Sequence, residues 1–315
     1  MDVVTIGETM VLFTPQSQGQ MRYATNFNRK FAGAETNVAI GLAKLGHKAG
    51  WISRVGNDEF GKAMVSFVKG EGVDVSQVQY DREAPTGLFF KEIRTMQQFR
   101  IQYYRKGSAA SRMSKEDINE NYLKQAKILY ISGITPALSE SCYEMIVYAA
   151  KLAKKHGLTV VFDPNVRRNL WSEEKARKVL LELVSYSDIV LPSVEEGEFL
   201  FGTKEPEEIG SEVLKRGASM AVIKVGSRGA LYVTKDKQEL VPTVQVSEVK
   251  DPVGAGDGFC AGFLSGLLDG LSVRESVARG NLVGSIVVQV DGDVEGLPDR
   301  EELGLYTSAA EDIRR

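Results

Sequence analysis

The chain has little of the chemistry that staples or metallates a protein. Its 315 residues include two cysteines, Cys142 and Cys260, and two histidines, His47 and His156. That inventory argues against a disulfide framework or a structural zinc site and fits a reducing compartment. Each histidine sits beside a glycine at the apparent end of a helix (Leu45-Gly46-His47 and Lys155-His156-Gly157), where C-terminal capping explains it better than catalysis. Positive charge is not in excess either. Lys and Arg number 39 against 42 Asp and Glu, a formal net charge of −3, so nothing draws the chain to nucleic acid or an anionic membrane surface. No apolar run reaches membrane-spanning length, and the opening Asp2-Val3-Val4-Thr5-Ile6 lacks the basic start and apolar stretch of a signal peptide. A cytoplasmic location is the expectation. Repeats, low-complexity tracts and Pro/Ser-rich linkers are missing too, so one domain spanning 1–315 is expected.

What is present is an alternation of short β-branched runs and longer helical patterns. Strands are predicted at Val3–Ile6, Gly50–Arg54, Ile128–Ser132, Thr159–Asp163, Ile189–Pro192 and Ala221–Val225. Helices are predicted at Glu35–Leu45, Ser139–His156, Glu173–Ser185 and Glu207–Arg216. Such alternation predicts an α/β fold, a mostly parallel central sheet between two helical layers. Ligands then bind beyond the carboxyl ends of the strands. Two stretches, about 9–31 and 86–105, break the rhythm with strand-like alternation (Gly87-Leu88-Phe89-Phe90, then Phe99-Arg100-Ile101-Gln102-Tyr103-Tyr104-Arg105). They are predicted to form antiparallel strands of a small accessory β-sheet, a lid.

The stretch Asp251-Pro252-Val253-Gly254-Ala255-Gly256-Asp257-Gly258 places a small-residue turn and a lone carboxylate just before an apolar helix pattern. A helix start carries unpaired N–H groups and the positive end of the dipole, which suits a phosphate. Gly254 and Gly256 remove side chains that would keep a phosphate off the backbone. Asp257 has no use beside a phosphate unless it takes a proton, so the pattern points to phosphoryl transfer onto a hydroxyl. The same residues also suit a plain strand-to-helix turn with an acidic first-turn residue.

Other glycine-rich segments read differently. Gly56-Asn57-Asp58-Glu59-Phe60-Gly61-Lys62-Ala63 imitates a phosphate-binding P-loop but ends on Ala63, where a hydroxyl should hold Mg²⁺. Asp58 and Glu59 would repel a triphosphate, which leaves a turn and a helix start whose acids cap the helix or face a sugar pocket. The Gly254 loop resembles a dinucleotide fingerprint only until Phe259 replaces the third glycine, which makes a Rossmann dehydrogenase a remote alternative. A phosphate-binding module without catalysis is another, and Asp257 argues against it. Gly33-Ala34-Glu35-Thr36-Asn37 opens a further helix with small and polar residues, either to meet a polar ligand or to cap the helix.

Residues 31–46 and 251–264, with Arg54-Val55-Gly56-Asn57-Asp58-Glu59-Phe60-Gly61 between them, resemble the ribokinase-like (PfkB) carbohydrate kinases in motif order across nearly the whole chain. Gly7-Glu8-Thr9, Tyr103-Tyr104-Arg105-Lys106-Gly107-Ser108-Ala109, Ser132-Gly133-Ile134-Thr135-Pro136 and Asp163-Pro164-Asn165-Val166-Arg167 direct the resemblance to the sugar-acid kinases of that family. It implies ATP-dependent phosphorylation of the terminal hydroxyl of 2-keto-3-deoxygluconate. A neutral-sugar kinase, for fructose or ribose, is the alternative.

The resemblance also implies roles. Gly33, Ala34, Glu35, Asn37, Phe89, Tyr103, Tyr104, Arg105, Arg167 and Asp293 would line the substrate pocket, with Arg105 and Arg167 on the sugar-acid carboxylate. Asn165, Arg167, Ser193, Lys224, Gly226, Ser227, Gly229 and Asn281 would border ATP. Gly254, Ala255 and Gly256 would form the anion hole, with Asp257 as general base. The family's Asn-x-x-Glu element stands here as Ser193-Val194-Glu195-Glu196, with Glu196 reaching Mg²⁺ through water. Pairing of two copies through the lid's edges is the expected assembly.

Overall fold

The computed structural model describes residues 1–95, 98–246 and 248–312. Its strands are β1 (Val3–Ile6), β2 (Met10–Pro15), β3 (Phe27–Ala32), β4 (Ala49–Gly56), β5 (Val78–Asp81), β6 (Leu88–Thr95), β7 (Gln98–Tyr104), β8 (Ile128–Ser132), β9 (Thr159–Asp163), β10 (Ile189–Val190), β11 (Met220–Lys224), β12 (Ala230–Thr234) and β13 (Gln238–Val241). Its helices are α1 (Ala34–Lys44), α2 (Glu59–Gly70), α3 (Glu120–Leu123), α4 (Glu140–Lys155), α5 (Glu173–Tyr186), α6 (Val194–Phe201), α7 (Pro206–Lys215), α8 (Ala255–Leu268), α9 (Val273–Val287) and α10 (Arg300–Asp312).

The β-branched runs pair as a nine-stranded sheet in the order β13-β12-β11-β10-β9-β8-β1-β4-β5. Every ladder from β11 to β5 is parallel, while β12 and β13 add an antiparallel edge. Successive side chains of each strand point to opposite faces, and both faces are covered. Val4, Ile6, Leu129, Ile131, Val160 and Phe162 pack against α4, α5, α6 and α7. Val3, Trp51, Ile128, Tyr130 and Val161 pack against α1, α2, α8 and α9. This is the three-layer α/β/α architecture expected. Among the described residues, no helix is long and apolar enough to cross a membrane.

The chain leaves β1 for one side of the sheet (β4, β5) and later returns to its other side (β8), so the strand order reverses beside β1. In open α/β sheets that crevice is where ligands bind. Over it lies a second sheet, β3-β2-β6-β7, built from the two stretches read as a lid; residues 96 and 97 lie outside the described residues. One expectation needs correcting: β2–β3 and β6–β7 are antiparallel hairpins, but β2 and β6 join them in parallel. The hairpins follow β1 and β5, which run parallel in the main sheet, so their inner strands arrive in the same direction.

The P-loop-like segment is a helix start. Asp58 caps α2 by accepting from Gly61 N–H at 2.8 Å, and it also accepts from the N–H and hydroxyl of Thr86 at the root of the lid. His47 and His156 stand at the ends of α1 and α4, each beside a left-handed glycine, as capping predicts.

Candidate active site

Helices α1 and α8 begin at the crevice on glycine. Gly33 is extended, and a Cβ there would meet Glu8 O at 2.7 Å and Thr9 Oγ1 at 2.8 Å, so close packing alone requires it. Gly254 is left-handed (φ 81°), a conformation that strains other residues, and a Cβ on it would lie 3.1 Å from the Asp293 Cα. Neither start has a side-chain cap. Among the described residues, no protein acceptor takes the N–H of Gly256 or Asp257. Beyond the adjoining backbone of α8, a Cβ at Gly256 would meet one atom within 4 Å among the described residues, Lys224 Nζ at 3.8 Å, so the turn is open toward a ligand.

Asp257 stands in the first turn of α8. Its Oδ2 accepts from Asn37 Nδ2 at 2.8 Å, and the same amide reaches Asp293 Oδ2 at 3.2 Å. One carboxamide from α1 thus joins two carboxylates remote in sequence. Asp257 is half-buried. Withdrawal from water pushes its carboxyl up to about 8; the Asn37 bond and Arg167 oppose this, and the charges of Asp163 and Asp293 add to it. Burial likewise raises Asp293. A carboxyl with its pKa moved toward neutrality, beside unspent backbone donors, can take a proton while a phosphate is held.

The lid's pleat sorts the aromatic residues. Lys30, Leu12, Phe89 and Tyr103 form one cross-strand row, and Phe31, Val11, Leu88 and Tyr104 form another on the opposite face. The first face looks onto the site. Lys91, two residues beyond Phe89, pairs with Asp251 at the foot of the Gly254 loop, and Lys30 pairs with Glu295 beyond Asp293. Phe89 and Tyr103 pack together with ring centroids 5.5 Å apart. Tyr104 corrects the expectation. It points away, lies edge-on to Phe90 and is 55% exposed. Strand alternation forbids both tyrosines from facing the pocket, and the sequence carries that parity.

Arg105 is buried, and its guanidinium already has a partner. Nε and Nη2 lie 2.7 and 2.5 Å from Glu8 Oε2, while Ser108 Oγ donates to Glu8 Oε1 at 2.5 Å. The guanidinium also lies over the Tyr103 ring. Arg167 is exposed after β9, near enough to Asp257 to lower its pKa. Asn165, two residues before it, is left-handed (φ 37°), a strained state typical of functional loops.

Several other expectations are redirected. Glu35 turns inward, with 1% of its surface exposed: Oε1 accepts from Ser132 and Thr135 hydroxyls at 2.6 and 2.9 Å, and the carboxyl lies against Gly7. It ties α1 to β8 and does not line the pocket. Burial raises its pKa. Ser193 spends its hydroxyl capping α6, accepting from Glu196 N–H at 3.2 Å. Glu196 in turn accepts from Ser193 N–H at 2.7 Å and from Val166 N–H at 3.0 Å. Asn281 Nδ2 donates to Val241 O at 2.8 Å and fastens the end of β13. Gly229 is needed because a Cβ would strike Val241 O. Of the residues expected around ATP, Gly226 and Ser227 form the short turn after β11, and Lys224 ends that strand.

Sequence reading placed Asp163 and Glu8 in motifs but gave neither a role in the site. Asp163, 1% exposed at the end of β9, holds Lys224 Nζ at 3.1 Å. A carboxylate closing a predicted parallel strand was the available clue.

With this geometry in place, comparison with known proteins is informative. The profile of the pfkB family carbohydrate kinases matches residues 1–300. The 2-dehydro-3-deoxygluconokinase of Bacillus subtilis is 40% identical over 317 residues, covering 100% of this chain and 98% of that protein. A probable chloroplastic fructokinase-6 of Arabidopsis thaliana is 32% identical over 310 residues, covering 95% of this chain and 80% of that protein. The crystal structure of a putative ribokinase II from E. coli with ATP and Mg²⁺ superposes with a TM-score of 0.91 at 26% identity, covering 98% of this chain and 99% of that one.

Proposed function

Because the chain belongs to the pfkB family of carbohydrate kinases, we propose that it transfers the γ-phosphoryl of ATP to the terminal hydroxyl of 2-keto-3-deoxygluconate (2-dehydro-3-deoxygluconate). The observation that carries the chemistry is Asp257, fixed by Asn37 beside the uncapped Gly254–Asp257 turn. Its carboxylate takes the hydroxyl proton as that oxygen attacks in line. The first-turn N–H groups of α8 donate to the phosphoryl oxygens as charge spreads over them. The lid face carrying Phe89 and Tyr103 covers the sugar and excludes water.

The substrate reading is supported by the 40% identity to the B. subtilis 2-dehydro-3-deoxygluconokinase and by Arg167, an exposed guanidinium near enough to act on the charge of Asp257. A neutral sugar is the second reading, and a specific contact favours it: Glu8 balances the charge of Arg105. The fructokinase at 32% identity points the same way.

ATP fits the open turn and the strand-end loop at Asn165. Among the described residues, no three His, Cys, Asp or Glu side chains cluster to hold a metal. That suits a Mg²⁺ held by phosphate oxygens and water, with Glu196 ordering that water. When bound, the ion supplies charge neutralisation at the phosphates. Pairing of two copies through the lid belongs to the same proposal, supported by the exposed Tyr104 on edge strand β7.

The test is ADP release across sugar acids, neutral sugars and nucleosides. Release with 2-keto-3-deoxygluconate alone supports the assignment; equal turnover of fructose transfers it to the neutral sugars.

A further inference from the structure

The lid reaches the loops behind the Gly254–Asp257 turn through two lysines on its inner face. Lys30 of β3 donates to Asp291 O at 3.0 Å and pairs with Glu295 at 3.1 Å, on the loop that carries Asp293. That pair is partly in solvent, where ion pairs contribute little. Lys91 of β6 differs. Its Nζ pairs with Asp251 Oδ2, and the two side chains are only 15% and 9% exposed. The other oxygen of the same carboxylate, Oδ1, accepts from Val253 N–H at 3.1 Å and so shapes the approach to Gly254. One carboxylate thus joins the lid to the turn. The two loops are themselves joined: the N–H groups of Lys250 and Asp251 donate to Val288 O at 2.8 and 3.3 Å, and a Cβ on Gly254 would lie 3.1 Å from the Asp293 Cα. Burial raises the Asp293 carboxyl, and the charge of Lys91 opposes that shift, so the ammonium is felt there too. Withdrawing two charges from water stabilises a fold poorly. The best-attested use of such a pair is to select one arrangement of the parts it joins.

We propose that Lys91 is a positioning residue for the transfer: acting through Asp251, it sets the Gly254–Asp257 turn when the lid lies over the sugar. This rests on the reading of the site as a sugar kinase and gives the lid a task beyond covering the pocket. With the lid down, the ion pair fixes the Asp251 carboxylate and that carboxylate holds Val253. The first-turn N–H groups of α8 then keep their aim at the phosphoryl oxygens. With the lid raised, the turn loses that hold, so the phosphoryl site is completed only once the acceptor hydroxyl is in place.

Lys91→Met should lower kcat about 10- to 100-fold, the cost of a misplacement of about 1 Å, with the sugar KM within about threefold of the parent. Asp251→Asn keeps an oxygen for Val253 and removes the charge that pairs with Lys91, so it should lose about as much. Each single variant strands one charge, and Lys91→Met/Asp251→Asn removes both. The double variant should unfold near the parent's temperature and be no slower than either single, because all three break one link. Recovery of kcat in the double variant would leave the pair as charge balance alone and overturn the proposal. So would near-parental kcat in Lys91→Met, or losses that multiply in the double variant. A further readout needs no sugar. The hydrogen-bonded amides of Val253 and Gly258 frame the turn, and they should exchange with solvent about tenfold faster in Lys91→Met than in the parent, an effect of the size usual for coupled sites. If the parent phosphorylates no sugar, the kinase reading fails while exchange still tests Lys91; equal exchange rates overturn the proposal.

Discussion

Helices α6 and α8 both start at the ligand end of the central sheet, and they use their first turns in opposite ways. At α6, Ser193 and Glu196 close a reciprocal capping box, and the backbone donors are satisfied within the protein. At α8, Gly254 offers no side chain, and the donors of Gly256 and Asp257 are left over. The same contrast runs through the molecule. Helices α2, α4, α5 and α9 start on Asp or Ser side chains that accept from the first turn, whereas α1 and α8, which meet across the site, start on glycine. A capping side chain stabilises a helix by about 1 kcal/mol. The site forgoes that stabilisation where a ligand is to supply the acceptor, a trade typical of functional sites.

The largest expected break in the comparison is Asp257→Asn. It keeps the shape of α8's first turn and removes proton acceptance, so kcat should fall about 10²–10⁴-fold. Thermal stabilisation by ATP should persist; a variant with parental turnover would leave the turn as structure alone. The sign of its stability effect also follows. With the folded pKa raised to about 8, native Asp257 holds a proton that the unfolded chain has lost between roughly pH 4 and 8, so this group's contribution to stability falls as pH rises through that window. The Asn variant should gain most in unfolding temperature, relative to the parent, above pH 8.

Next in size is Gly256→Val. Beyond the adjoining backbone of α8, a Cβ placed at Gly256 meets only Lys224 Nζ within 4 Å among the described residues, so the fold should persist while the proposed phosphoryl position is obstructed. Turnover should drop at least about 10²-fold with an unfolding temperature close to the parent's. An active, stable Val variant would show that nothing approaches the turn.

The pH profile gives a graded effect. If Asp257 is the general base proposed above, it acts only when ionised, and kcat/KM for the sugar should rise about tenfold per pH unit below about 8 and level above it. A flat profile from pH 6 to 9 would remove Asp257 as the titrating base.

Ser193→Ala should do least to the chemistry. It should cost about 1 kcal/mol in denaturant unfolding, the worth of a cap, and leave kcat near the parental value. A large loss of ATP affinity instead would mean that Ser193 serves the nucleotide after all, and the contrast between α6 and α8 would close.

The sequence alone determined the α/β alternation, the accessory sheet and the Gly254–Asp257 turn, because each rests on local periodicity or on small residues at a helix start. It also held the opposed directions of Tyr103 and Tyr104, since alternation along a strand is a property of adjacent residues. Tertiary structure decided which charges meet. Asn37 lies 220 residues from Asp257 and 256 from Asp293, and nothing local to α1 says that its amide joins them. Glu35, two residues earlier, faces inward to Ser132 and Thr135 because of how α1 lies on β8, so two polar residues of one helix turn take different roles. Arg105 reads as a free cation until Glu8 is seen against it, and Lys224 as an ordinary strand-end lysine until Asp163 and Gly256 stand beside it. Periodicity is carried by neighbours in the chain; the charge, pKa and availability of a side chain are set by neighbours in space, which the fold brings together.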